Sequence, residues 1–393
     1  MLWNTLLLFL TPALARTRLP ARDTDPNDLS IYKQAIYLPF TKDFSSDYTP
    51  TVRGSINGRS FTFPVDTGST GLMIGAPLLP DVDLSGSNAD QYEQGWEFLT
   101  SSSLLYNGRF VPLDVTFYGS SRKYTAVSKV LVLVVQSVIK CPAYNSTTGQ
   151  GICPDGGSVQ STASPKHVTY MGVGFGRNVA GSGLNFGSSD HNPFLNIVNI
   201  NGRSTYSFRT GYVVSTTGVH LGLTTRNTRD AVWVDLDYGA TDDWRDWAMV
   251  DMAMRVNEGQ DEYAGKALVD TGIPQMFIQP PPGVKLPTVR ILNPATNPTT
   301  KYTSRITNGT YLDFAFPSFQ DGVAGYDFEV GDESFPSQPA YVQPVAGRPS
   351  TYFNSGRNFL FGFTIIFDAD GGRFGLICLK CNDDEGYYGS GTD

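Results

Sequence analysis

The sequence predicts a mainly β protein divided into two lobes. Its 393 residues are enough for two domains of ordinary size, each with a core of its own. Charged residues make up only 17%, while 41 glycines and 25 prolines accompany many serines and threonines. This mix disfavours long surface helices and favours short strands joined by turns. We expect a first lobe over residues 31–225 and a second over residues 226–381.

Strand-length apolar runs begin after residue 34 and alternate with turn signals. The clearest runs are Ala35–Phe40, Phe61–Val65, Arg109–Phe117 and Thr125–Ile139. Asparagine-glycine pairs, which favour tight hairpin turns, occur at Asn57-Gly58, Asn107-Gly108, Asn201-Gly202 and Asn308-Gly309. The pattern predicts β-hairpins along most of the chain.

The two ends of the chain carry segments that we expect to lie outside the lobes. Residues 1–15 are mostly apolar and end in the small-x-small pattern Ala13-Leu14-Ala15, typical of a signal peptidase site, although a basic n-region is absent. A buried N-terminal strand or helix is the alternative. The run is shorter than the ~20 apolar residues of a membrane anchor. We predict a signal peptide at 1–15, a short leader or flexible N-terminus at 16–30, a flexible acidic tail at 382–393, and a secreted, extracellular protein without a membrane anchor.

The four cysteines form an even set, as in many exported proteins. Cys141 and Cys153 flank a loop rich in Pro, Gly, Ser and Thr, which predicts a surface disulfide. Cys378 and Cys381 form a Cys-x-x-Cys pair, for which a tight disulfide, a redox pair and half of a zinc site all remain open. Since the chain has only 3 histidines and no second Cys-x-x-Cys, we expect no metal.

Charge and glycosylation sequons describe the expected surface. The 37 acidic residues outnumber the 29 basic ones and give a net charge of -8, so the chain offers no basic surface to a phosphate backbone. We therefore expect no nucleic-acid partner. Asn145-Ser-Thr and Asn308-Gly-Thr are acceptor sequons in polar, turn-rich surroundings, and we expect at least one to be glycosylated.

An internal repeat is the most informative feature of the sequence. Val65-Asp-Thr-Gly-Ser-Thr-Gly-Leu-Met-Ile74 aligns without a gap with Val269-Asp-Thr-Gly-Ile-Pro-Gln-Met-Phe-Ile278. Each copy has an aliphatic entry, Asp-Thr-Gly, three variable residues and an apolar triplet. A single Asp-Thr-Gly is an ordinary turn composition, whereas two copies in corresponding positions indicate a shared role.

The repeat suggests a pair of catalytic carboxyls, Asp66 and Asp270. Peptide hydrolysis needs a nucleophilic water, a base that takes its proton and an acid that protonates the leaving nitrogen. Two carboxyls held about 3 Å apart cannot both ionise, so one keeps a proton and the pair presents a base and an acid together. The titration then belongs to the pair.

The neighbouring residues fit this interpretation. Gly68 and Gly272 allow a sharp turn that brings backbone amides close to the carboxyl oxygens. Thr67 and Thr271 are expected to hydrogen-bond across the interface between the lobes and so fix both loops. Rigid support matters because a misplacement of about 1 Å costs much of the rate.

On these motifs, the chain resembles the pepsin family of aspartic proteases over nearly all residues after 34. Within that family it is most similar to a divergent, secreted member of fungal type. Met171-Gly-Val-Gly-Phe-Gly176 resembles the family's glycine-rich strand behind the first catalytic loop. Gly356–Asp368 with Gly375-Leu376 resembles its closing helix and strand, and Val219–Thr224 the strand that ends the first lobe. The resemblance implies the bilobal acid protease fold, two β-barrel-like lobes with a cleft between them. It also implies an aspartic endopeptidase, expected to be a monomer, that acts on peptide or protein substrates without a cofactor.

The departures from the family cluster around the expected site. Ser69 follows the first Asp-Thr-Gly as in the family, but Ile273 follows the second and has no donor, which we expect to disfavour the Asp270 anion by about 1 kcal/mol. Met73 stands where the family has Trp. On the hairpin flap, Ser101 falls near the usual Tyr position, although Tyr106 can serve if the hairpin slips.

Other functions have weaker support. The chain has no His-Glu-x-x-His and no Gly-x-Ser-x-Gly, which disfavours a metalloprotease and a serine hydrolase. A catalytically weak or inactive pepsin-fold protein, acting as a binding module or recruited to small-metabolite chemistry, is the serious alternative, and purely structural turns are a third. On the catalytic interpretation we expect Asp66, beside Ser69, to be the ionised base and Asp270 the protonated acid.

Overall fold

The computed structural model describes residues 27–99, 102–145, 151–159, 165–177, 187–257, 259, 261–293, 301–347 and 350–379. The chain is mainly β, with 45% strand and 6% helix, and its sheets are curled, one of them into a half-barrel. The predicted mainly β fold class is confirmed.

Strands β1 to β13 belong to the first part of the chain. They are β1 Ile36–Pro39, β2 Thr51–Ile56, β3 Arg59–Pro64, β4 Thr70–Gly75, β5 Gln94–Leu99, β6 Leu104–Tyr118, β7 Thr125–Lys140, β8 Ser158–Val159, β9 Thr169–Val173, β10 Ile197–Ile200, β11 Arg203–Ser204, β12 Gly211–Val214 and β13 Gly218–Leu221. The four apolar runs singled out in the sequence coincide with β1, β3, β6 and β7, so these strand predictions are confirmed.

Strands β14 to β25 follow. They are β14 Val232–Asp235, β15 Val250–Val256, β16 Tyr263–Leu268, β17 Met276–Gln279, β18 Thr288–Leu292, β19 Tyr302–Ile306, β20 Tyr311–Phe316, β21 Ala324–Glu329, β22 Val342–Pro344, β23 Thr351–Asn354, β24 Phe363–Asp368 and β25 Arg373–Cys378. The helical segments within the described residues are short 3₁₀ turns at Ala76–Leu78, Gly86–Gln91, Pro165–His167, Ser189–His191 and Arg357–Phe361. The segment expected to be a closing helix is the last of these turns.

Two large sheets hold the two copies of the repeat. The ten-stranded sheet follows the path β11-β10-β7-β6-β2-β3, with β5 and β8 paired at its side and β4 lying between β7 and β9. The seven-stranded sheet runs β21-β20-β15-β16-β23-β17-β22, and β18 and β19 form a separate hairpin. The first Asp-Thr-Gly therefore belongs to one sheet system and the second to the other.

A six-stranded sheet joins the two parts of the chain. Its order is β1-β13-β12-β24-β25-β14, so strands from the beginning, the middle and the end of the chain pair in one antiparallel sheet. Asp368, at the end of β24, is fully buried and forms ion pairs with Arg209 and Arg373. The predicted lobe boundary at residue 225 falls between β13 and β14, and both of these strands lie in this shared sheet.

Three of the four Asn-Gly turn predictions are confirmed and one is wrong. Asn57 and Asn201 adopt positive φ and are each followed by a positive-φ glycine, as a tight hairpin turn requires, and Gly309 also has positive φ. Asn107-Gly108 instead lies inside β6, where the register against β7 shifts at a bulge. A Cβ on Gly108 would lie 2.0 Å from the carbonyl oxygen of Val134, so this glycine permits close approach of two long strands.

The predicted Cys141–Cys153 disulfide is present, with a Cα–Cα distance of 5.8 Å. The bond is not at the surface, because both residues are buried in a small cluster with Leu105 and Tyr144. Cys378 ends β25, and Cys381 lies outside the described residues. Residues 1–26 and 380–393 also lie outside them, and with them the predicted signal peptide, most of the leader and the acidic tail. Asn145 and Asn308 are both exposed.

Candidate active site

The first Asp-Thr-Gly loop connects β3 to β4 and is supported from behind by β9. The Asp66 amide donates to the carbonyl of Met171 at 3.3 Å, and the amide of Val173 donates to the Asp66 carbonyl at 2.7 Å. All six residues of β4 are buried. The apolar triplet therefore anchors the loop in the core, and β9 fixes the backbone of Asp66.

The second loop connects β16 to β17 and is supported in the same way by β23. The Asp270 amide donates to the Ser355 hydroxyl at 3.2 Å, and the Ser355 amide donates to the carbonyl of Leu268 at 2.9 Å. Both aspartates thus lie at the end of one strand and beside a second strand that arrives from a distant part of the chain.

The two threonines tie the loops together in a reciprocal pattern. Thr67 Oγ1 donates to the carbonyl of Val269 and Thr271 Oγ1 to that of Val65, each at 2.6 Å. Each hydroxyl also accepts from the backbone amide of the other threonine at 3.1 Å. Both threonines are fully buried. These four hydrogen bonds hold the loops in a fixed relative position.

The glycines bring the two carboxyls side by side. A Cβ added to Gly68 would lie 2.1 Å from Cγ of Asp270, and one added to Gly272 would lie 2.4 Å from Oδ1 of Asp66. Each glycine therefore packs against the carboxyl of the opposite loop and leaves no room for a side chain. Asp66 and Asp270 are 7% and 5% exposed, so both residues are buried where the two loops meet.

Three donors surround the Asp66 carboxylate. The Gly68 amide donates to Oδ1 at 2.8 Å. Oδ2 accepts from the Ser69 hydroxyl at 2.7 Å and from the Tyr170 hydroxyl at 2.5 Å. Burial, reinforced by the neighbouring Asp66 charge, raises the pKa of Tyr170 well above its ordinary value, so this phenol stays protonated and remains a donor.

Asp270 has two donors of a different kind. The Gly272 amide donates to Oδ1 at 2.7 Å, and the Asn354 side-chain amide donates to Oδ2 at 2.5 Å. Ile273 has no donor to offer, but Asn354 supplies a hydrogen bond to Asp270 from another strand. Burial, and next the charge of Asp66, nevertheless raises the pKa of Asp270 far above the usual range of a carboxyl.

A buried arginine lies next to the pair. Arg357 is 3% exposed, and its Nη2 donates to the carbonyl of Gly272 at 2.7 Å and to Thr49 Oγ1 at 3.2 Å. Its Nε and Nη1 atoms are buried, with no hydrogen-bond partner among the described residues. Burial lowers the pKa of Arg357, while the two aspartates oppose this change. The guanidinium thus supports the second loop through the Gly272 carbonyl.

The predicted flap is a hairpin of β5 and β6 beside the first loop. Its pairing ends at Leu99 and Leu104, so the turn lies between them, and Ser101 lies outside the described residues. Tyr106 faces Glu97 across the hairpin and packs with Met73, which is fully buried, in a cluster that also contacts Tyr170. The flap strand, Met73 and the strand behind Asp66 therefore share one apolar cluster.

Sequence reasoning missed Tyr170, Asn354 and Arg357. A signal was available, because Tyr170 stands two residues before Gly172 and Asn354 two residues before Gly356, each in an apolar strand end. A polar side chain at matching places in two similar halves is a hint of a shared task. The shared task is donation to the carboxyls, because Tyr170 hydrogen-bonds Asp66 and Asn354 hydrogen-bonds Asp270.

No protein-family model matches the chain, and comparison with curated proteins gives no match. The pepsin-family resemblance therefore depends on the motifs alone. Within the residues that the structure describes, no group of three or more His, Cys, Asp or Glu side chains is arranged to hold a metal ion. The described helical segments include none that is long and apolar enough to cross a membrane.

Proposed function

We propose that the chain is an aspartic endopeptidase of the pepsin type, in which Asp66 and Asp270 activate a water molecule between them. The observation that carries the proposal is the contact of the two Asp-Thr-Gly loops: reciprocal threonine bonds, and each glycine against the opposite carboxyl. Two buried carboxyls this close hold one proton in common. A pair of this kind supplies the base and the acid that amide hydrolysis requires.

The electrostatics support different roles for the two aspartates. Two hydroxyls and one amide donate to Asp66, an arrangement that suits the group that accepts the proton of the water. The raised pKa of Asp270 favours its protonated form. In this proposal Asp66 takes a proton from the attacking water, and Asp270 gives its proton to the carbonyl oxygen of the substrate. The two sheet systems that carry the loops support the expectation of two lobes with a substrate cleft between them.

The test is cleavage of a mixed peptide library between about pH 3 and pH 6, where a shared-proton pair is active. We expect cleavage by the unaltered protein and inhibition by a statine-type mimic of the tetrahedral intermediate. Asp66→Asn and Asp270→Asn are expected to abolish cleavage. The exposed Asp321→Asn serves as the matched control and is expected to cleave normally. Cleavage that persists in either of the first two variants would end the proposal.

Binding without cleavage is the second candidate function. The observation in its favour is that Asp66 Oδ2 already accepts hydrogen bonds from two hydroxyls, those of Ser69 and Tyr170. On this alternative, the intact protein leaves every peptide of the library uncut but binds the statine-type mimic or another ligand tightly. Cleavage of the library by the intact protein, or ligand binding without cleavage, therefore separates the two candidates.

A further inference from the structure

The strands behind the two aspartate loops each contribute one polar side chain to the carboxyl of that loop. Tyr170 in β9 reaches Asp66 Oδ2 at 2.5 Å, and Asn354 at the end of β23 reaches Asp270 Oδ2 at 2.5 Å. The two side chains occupy matching places in the two parts of the chain, but one is a phenol and the other an amide. A phenol hydroxyl can donate or accept, whereas an amide nitrogen only donates, so the two carboxyls differ in how their neighbours respond to a proton.

The hydroxyls around Asp66 can follow a change in its protonation. Asp66 Oδ2, Ser69 Oγ and Tyr170 Oη form a triangle with sides of 2.7, 2.5 and 2.8 Å. A hydroxyl both donates and accepts. When Asp66 is ionised, both hydroxyls donate to it; when Oδ2 takes a proton, one hydroxyl turns and accepts. The Asp66 carboxylate can therefore gain a proton and still keep its hydrogen bonds to Ser69 and Tyr170.

The amide beside Asp270 has no such freedom. Its orientation is fixed, because Asn354 Oδ1 accepts from the Gly356 amide at 3.0 Å while Nδ2 donates to Asp270. An amide nitrogen donates only. Oδ2 of Asp270 faces this donor and Oδ1 faces the Gly272 amide, so neither of these two neighbours can turn and accept a proton from the carboxyl. A proton on Asp270 therefore remains available for transfer.

We propose that Tyr170 and Asn354 are positioning residues that give the two aspartates different roles: Tyr170 supports Asp66 as the proton acceptor, and Asn354 holds Asp270 as the proton donor. The inference rests on the proposed peptidase function. As the water oxygen bonds to the carbonyl carbon, its proton goes to Asp66 and the proton of the Asp270 carboxyl goes to the carbonyl oxygen. When the carbon–nitrogen bond breaks, Asp66 returns its proton to the nitrogen and Asp270 recovers one from the diol.

The pH profile of kcat/KM tests the division of roles. Tyr170→Phe keeps the ring and removes one donor from the base, so the acid limb is expected to move up by about one pH unit. Asn354→Leu removes a donor from the acid, so the alkaline limb is expected to move up instead. Tyr326→Phe is the matched control, because it removes a buried hydroxyl that donates to the Ser337 carbonyl at 2.8 Å and not to either aspartate. Neither limb is expected to move. Limbs that stay in place in Tyr170→Phe and Asn354→Leu would overturn the proposal.

Neutron diffraction from crystals of the unaltered protein in heavy water at acidic pH gives a second test. It needs neither catalytic activity nor a variant that folds. We expect a deuteron on Tyr170 Oη directed at Asp66 Oδ2 and a deuteron on the Asp270 carboxyl. A deuteron on Asp66 with none on Asp270 would contradict the inference. The expected deuterons in a protein that cuts no peptide would count against the proposed function and leave the hydrogen-bond assignment standing.

Discussion

Replacing Thr67 with valine is expected to lower the stability and the activity of the protein together. The hydroxyl donates to the Val269 carbonyl at 2.6 Å and accepts from the Thr271 amide at 3.1 Å, and both threonines are fully buried. Valine is close in shape but leaves a buried carbonyl and a buried amide without these partners. Each such group costs about 1–3 kcal/mol. We expect the free energy of unfolding to fall by about 3 kcal/mol, because part of the loss is recovered when the loops relax.

Urea unfolding at fixed pH measures this change, and kcat/KM on a cleaved peptide measures its effect on the site. Thr310→Val is the matched control: Thr310 is 3% exposed and its hydroxyl donates to the Thr307 carbonyl at 2.8 Å, in a turn away from the aspartates. The control is expected to lose about 1 kcal/mol and no activity. Thr67→Val is expected to lose about 10- to 100-fold in kcat/KM, since the loops shift. If Thr67→Val is no less stable than the control, the reasoning about the reciprocal bonds is refuted.

Three further predictions concern the rest of the site and its supports. Gly272→Ala would put a Cβ 2.4 Å from Oδ1 of Asp66, so we expect at least about a 100-fold loss of kcat/KM; near-normal activity would show that the carboxyls are not in contact with the glycines. Burial raises the pKa of Glu97 from 4.5 to about 8, so between these values the folded protein keeps a proton that the unfolded chain releases. The stability that this group contributes is complete below about pH 4.5 and is lost as the pH rises through about 8. Urea midpoints between pH 5 and pH 8 are expected to fall in the unaltered protein and to fall less in Glu97→Gln; parallel curves would exclude this role. Cys153→Ser opens a disulfide whose ends are 12 residues apart, which is expected to cost about 3 kcal/mol in urea unfolding; an unchanged midpoint, with free Cys141 confirmed by thiol titration, would contradict this value.

The sequence was a good guide wherever a feature depends on neighbours along the chain. The valine-rich run Thr125–Ile139 predicted β7, because β-branched side chains pack well in a half-buried sheet, and the apolar run Arg109–Phe117 predicted most of β6. The apolar triplets after each Asp-Thr-Gly predicted that the loops lead into the core, and Leu72 and Met276 are both fully buried. The cysteine spacing predicted the disulfide for the same local reason.

Local rules failed where long-range pairing outweighed them. Asn107-Gly108 has the composition of a hairpin turn, yet it lies within a strand pair of 15 and 16 residues. The many ladder bonds of that pair outweigh a preference confined to two residues, so the glycine becomes a bulge. Likewise, Ile273 was expected to leave Asp270 without a donor, because the sequence does not show that Asn354 arrives from β23.

The sequence by itself determined the chemistry available to this protein: two aspartates in duplicated turns, threonines to tie them and glycines to let them approach. Only the tertiary structure decided which other side chains reach the carboxyls. Tyr170 is 104 residues from Asp66, and Asn354 is 84 residues from Asp270. The physical reason is strand register: side chains alternate between the two faces of a sheet, so a slip of one residue would turn Tyr170 away from Asp66. Register is set by the packing of the whole sheet, so no single segment of the sequence determines it.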